Sequence, residues 1–131
     1  MKSFRNPAHR AVFLEASRNM NRSNYALLAA LYLLTADSRL WNQVKDCVEY
    51  NRILFDQMKP KNHSTNSYAL FCVAKDLCLG TNHMTLCDLA DVELIPPRVF
   101  AIICNAVAIR RCGLDAIQEA PERKAKSGRK E

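Results

Sequence analysis

Apolar residues in this chain recur at helical spacing in a few long stretches, which end at proline, glycine or short polar clusters. The densest is YALLAALYLL, residues 25–34. A helix that is apolar almost all round is a buried, central one, so Tyr25–Ala36 is read as the core helix, capped by Ser23. Ahead of it, Asn6-Pro7 pairs a good N-cap with a residue favoured in the first helical turn. That predicts a first helix running to about Asn19, with Ala8, Ala11, Val12 and Leu14 turned inward. After the core helix, Asp37-Ser38 caps a short helix with Leu40, Trp41 and Val44 at core spacing.

The pattern weakens over Cys47–Asn62, where the basic connector MKPKNH ends any helix at Pro60. Thr65 or Asn66 then caps a helix through Leu79, with Leu70, Val73, Ala74, Leu77 and Cys78 as its stripe and Gly80 as its stop. Thr85 starts a single short turn, LCDLA. Pro96-Pro97 opens the last helix, with Val99, Ile102, Ile103, Ala106 and Ile109 inward and Gly113 closing it. The expected fold is all-α: one compact bundle of five to six helices over residues 1–113. Residues 114–131 are expected to be a charged, disordered tail.

Composition narrows the reading. A chain of 131 residues, 49% hydrophobic, suits one domain with a real core. Its longest apolar run falls short of the about 20 residues that cross a bilayer. The opening MKSFRNPAHR is polar and basic, without the apolar segment of a secretory signal. A cytoplasmic protein without membrane partners is expected, with its six cysteines reduced and acting as small buried hydrophobes. The net charge is +6, and its excess sits at the N-terminus. There Lys2, Arg5, Arg10, Arg18 and Arg22 face only Glu15, whereas the tail from Leu114 has five basic residues against four acidic ones.

The stretch with most chemistry is CLGTNHMTLC, residues 78–87. Structural zinc needs four converging ligands, usually from two short chelating pairs. The chain has no C-x2-C or H-x3-H spacing. On helices, Cys72 and Cys78 point about 120° apart, and Cys104 and Cys112 stand about 12 Å apart along the axis. His83 and Cys87 are better spaced but lack two further ligands. Cys87, near a helix start, is the best nucleophile on offer, yet its neighbours Leu86 and Leu89 favour a buried thiol. Without a phosphate loop or a Ser/His/Asp pattern, no enzyme, metal, cofactor or small-molecule substrate is expected. Pairing Thr65–Leu79 with Leu86–Ala90 as a DNA-reading unit puts acidic Asp91 and Glu93 where a phosphate-facing helix is basic. His9, one turn before Phe13, is expected to be structural.

Four segments carry a family likeness: FRNPAHRAVFLEA, YALLAALYLLTADSRLWNQV, SYALFCVAKDLCLG and VFAIICNAVAIR, together with the spacing Phe4, His9, Phe13. In this order they resemble a family of small, all-helical proteins of Firmicutes and their mobile elements, over residues 4–111. The likeness lapses over Cys47–Asn62 and in the surplus of cysteines. The family has no established reaction. What the resemblance implies is a stoichiometric role: binding and inhibiting a host protein or nucleoprotein complex, in the manner of an anti-CRISPR or other anti-defence protein. The alternative is an accessory or regulatory protein that contacts DNA or RNA directly. Arg5, Arg10, Arg18 and Arg22 are the candidate partner contacts, since arginine serves protein interfaces and phosphates alike.

Overall fold

The computed structural model describes residues 4–59, 61 and 64–117. The chain folds into six α-helices around one apolar core, with a two-stranded hairpin as its only sheet among the described residues. Most helix starts are built by local side chains. Asn6 accepts the His9 N–H at 2.8 Å and opens α1 (Pro7–Ala16). Asn24, rather than Ser23, caps α2 (Tyr25–Leu34) by accepting the Leu27 N–H. Asp37 caps α3 (Ser38–Val44), and Ser64, one residue before the expected Thr65, caps α4 (Thr65–Leu79). Thr85 and Asp88 form a reciprocal capping box on α5 (Leu86–Ala90). Pro97 stands in the first turn of α6 (Pro97–Cys112), which starts without a side-chain cap.

α2 is the axis of the molecule. Leu27 to Leu34 are all buried, and α2 packs against both α4 and α6. The partners present the expected faces: Leu70, Val73 and Ala74 from α4, and Ile102, Ile103, Ala106 and Ile109 from α6. At roughly 2 kcal/mol for each fully buried large aliphatic side chain, this three-helix contact is the main source of stability.

Two expectations need correction. α1 stops at Ala16, capped by Ser17, so Arg18 and Arg22 lie beyond the helix and share no helical face. Its buried residues are His9 and Phe13, with Ala16 packed against the core, whereas Ala8 and Ala11 are exposed and Leu14 is 42% exposed. The inward face is therefore set by a histidine, which an apolar count passes over. In the weak central segment, Lys45–Cys47 makes a 3-10 turn, and β1 (Val48–Glu49) pairs antiparallel with β2 (Arg52–Ile53). Asn51 at the hairpin tip adopts φ 61, and its carboxamide accepts the Asn21 N–H at 2.7 Å. A second 3-10 turn, Phe55–Gln57, buries Phe55.

At the far end, Leu114–Ile117 forms a 3-10 turn packed on α6 with Ile117 buried, so the folded unit extends past residue 113. The rest of the expected tail, from residue 118, lies outside the described residues, as do Lys2 and Pro60. Among the described residues, no helix is long and apolar enough to cross a membrane.

Candidate functional site

The N-terminal segment latches onto the C-terminal end of α2. The last turn of a helix leaves carbonyls without intrahelical donors. Here the Ala36 N–H turns back to Leu33, and the Tyr32 carbonyl accepts from His9 Nε2 at 2.9 Å and from the Thr35 hydroxyl at 3.2 Å. His9 Nδ1 accepts the backbone N–H of Arg5 at 3.0 Å. A backbone N–H can only donate, so Nδ1 carries the lone pair and Nε2 the proton. Both ring nitrogens are satisfied by the neutral imidazole. Burial, followed by the nearby Arg5 charge, outweighs the Tyr32 carbonyl and lowers its pKa from 6.5 to about 4. Phe4 and Tyr32 pack on the ring, Phe4 edge-on at a centroid distance of 5.1 Å, and Phe13 packs in turn on both of them.

The same latch fixes the first candidate arginine. Arg5 donates from its guanidinium to the Ala36 carbonyl at 3.0 Å and lies 3.9 Å from Asp37, with nearly half of its side chain exposed. Arg18 pairs with Glu15, and Arg22 reaches the Ser17 hydroxyl at 3.5 Å. Arg10 is exposed on α1. The four arginines thus do not converge on one site.

Arg5 does converge with a cation that the sequence did not single out. A cleft of about 210 Å³ opens between the end of α2 and the starts of α3, α4 and α6, lined by Arg5, Asp37, Ser64, Asn66, Pro96 and Arg98 among others. Asp37 and Ser64 are occupied there as caps, and the second Asp37 oxygen accepts the Ser67 hydroxyl at 2.9 Å. α6 differs: Pro96 offers its first N–H groups no side-chain acceptor, and Arg98 makes no ion pair among the described residues. Two guanidinium groups against one carboxylate leave the cleft cationic. It is chemically suited to receive a carboxylate or another anion.

The stretch 78–87 is organised by Asp76. Its carboxylate accepts from the Thr81 hydroxyl at 2.6 Å, from the backbone N–H groups of His83 and Met84, and faces His83 Nδ1 at 2.9 Å. Burial pushes the Asp76 carboxyl up, but these hydrogen bonds prevail and hold it below its ordinary value. His83 is therefore a loop-bracing residue. Among the described residues, no group of three His, Cys, Asp or Glu is placed to hold a metal.

The cysteines depart from the expected burial. All six are free; Cys72 is buried and Cys47 and Cys78 half-buried, while Cys87, Cys104 and Cys112 are exposed. Cys87 is no core thiol, because α5 is one short turn and Leu86 beside it is 84% exposed. No family model, curated protein or solved structure matches the chain.

Proposed function

We propose that the protein is a non-catalytic binder of a host protein or nucleoprotein complex, as its resemblance to mobile-element proteins implies, and that it seats an acidic side chain of that partner between Arg5 and Arg98. The observation supporting this reading is the cleft itself. Arg5 is held in place by the Ala36 carbonyl, and Arg98 lines the same cleft without an ion pair among the described residues. The start of α6, without a side-chain cap, adds the positive end of a helix dipole. Nothing in this arrangement requires a reaction: an anion would be bound and held. The remaining arginines, Arg10, Arg18 and Arg22, extend the positive field that brings an acidic surface close.

The test is affinity capture from host lysate with and without nuclease, using the wild-type chain and Arg98→Glu. One protein recovered in both lysates, and at least about tenfold less retained by Arg98→Glu, supports the reading; a desolvated charge pair at an interface commonly carries that much. Partners that vanish with nuclease, together with salt-sensitive binding to bare duplex, point instead to direct nucleic-acid contact. Arg98 lies on the surface at the helix start, so the substitution leaves the core intact and circular dichroism should be unchanged.

A further inference from the structure

The outward face of α6 is apolar where a solvated helix face is normally polar. Phe100, Cys104, Val107 and Arg111 fall at i, i+4, i+7 and i+11, one stripe opposite the buried Ile102, Ala106 and Ile109. Phe100 is 42% and Val107 45% exposed, and Cys104 is also exposed. The stripe ends in the cations Arg110 and Arg111 of the last turn, of which Arg111 makes no hydrogen bond or ion pair among the described residues.

The chain also carries a second exposed apolar segment with the opposite charge. Leu86 is 84% and Val92 66% exposed, and Asp91 and Glu93 flank Val92 without an ion pair among the described residues. Isolated exposed apolar residues are ordinary on a protein surface. An apolar stripe edged with arginine and exposed apolar side chains flanked by carboxylates are complementary to each other.

We propose that the outward face of α6 docks a second copy of this chain. In this contact the Phe100–Cys104–Val107 stripe receives Leu86 and Val92 of the other copy, and Arg111 meets Asp91 or Glu93 across the rim. If the two contacts are made reciprocally, they close a dimer with two-fold symmetry. The contact is separate from the Arg5–Arg98 cleft and stands or falls without it.

Sedimentation equilibrium of the full chain under reducing conditions, over a concentration series, measures the association directly. The expected result is a reversible dimer that weakens with added salt. Phe100→Glu and Val92→Lys should each weaken it by roughly tenfold or more, as loss of a central apolar anchor does. Arg111→Glu should weaken it less, and Arg111→Glu combined with Asp91→Lys and Glu93→Lys should restore much of the loss. Circular dichroism of each variant separates lost docking from lost folding, since all these positions are exposed. A monomer throughout the series overturns the proposal. So does a dimer indifferent to all these substitutions, or a monomer whose Phe100→Glu variant loses a foreign protein partner.

Discussion

His9 joins sequence, packing and pH response in one side chain. It is 2% exposed, packed against Phe4 and Tyr32, and spans from the Arg5 N–H to the Tyr32 carbonyl. Protonating Nδ1 would set one donor against another and bury a charge. Well above pH 6.5 the imidazole is neutral whether the chain is folded or not, and its titration does not change stability. Below that value the unfolded chain takes up a proton that the folded chain refuses until about pH 4. Stability therefore falls as pH drops through this window and levels off beneath it, with a total loss of about 3 kcal/mol from this residue. Urea unfolding at a series of pH values should show the slope. In His9→Leu the slope assigned to His9 disappears, and at pH 7 the variant should be about 2–4 kcal/mol less stable, because a half-buried N–H and a buried carbonyl lose a partner. An unchanged pH profile in His9→Leu would refute the assignment. The spacing of Phe4, His9 and Phe13 made this cluster partly legible. Its partner Tyr32 was hidden inside an apolar run, where a carbonyl leaves no mark in the sequence.

At the scale of elements, what could be read was what local chemistry decides. Asn6, Asp37, Thr85, Gly80 and Gly113 act within a few residues of themselves, and each stops or starts a helix where its chemistry says it should. The hairpin Val48–Ile53 escaped because strands of two residues have no period to detect. Its shape depends on Asn51 bonding to distant Asn21. The inward face of α1 was misjudged for a related reason: His9 is held in the core by a partner 23 residues away, the Tyr32 carbonyl, not by its own hydrophobicity. The two glycines separate local from tertiary demands. Both have positive φ, 76 for Gly80 and 81 for Gly113. A Cβ on Gly80 would meet open space, so Gly80→Ala should cost about 1 kcal/mol, the backbone penalty alone. A Cβ on Gly113 would lie 2.7 Å from Tyr25 Cε1, so Gly113→Ala adds displacement of that ring and should cost clearly more. Thermal melts of the two variants compare them, and equal losses would show that the Tyr25 contact is dispensable.

For the whole molecule, the decisive asymmetry is between a core that sequence patterning located well and a surface that it located poorly. The arginines of the N-terminus were visible as charges, but Arg98 joins Arg5 in one cleft only because the starts of α4 and α6 come together there. No spacing rule connects residues so far apart. The cysteines show the same limit, since burial depends on where each helix turns its face in the assembled bundle. This gives a direct probe of the fold. Cys87, Cys104 and Cys112 are exposed and should react rapidly with an aromatic disulfide reagent, while the half-buried Cys47 and Cys78 react more slowly. Cys72 is 2% exposed on α4, and burial pushes its thiol above the ordinary value. Its thiolate is scarce, and the buried side chain is out of reach of reagent in the native fold. Labelling of Cys72 should therefore be slowest, and it should speed up with urea along the global unfolding curve. Mass spectrometry of quenched samples resolves the order by residue. Cys72 reacting as fast as Cys87 in native buffer would mean that the cover over this face of α4 opens without global unfolding.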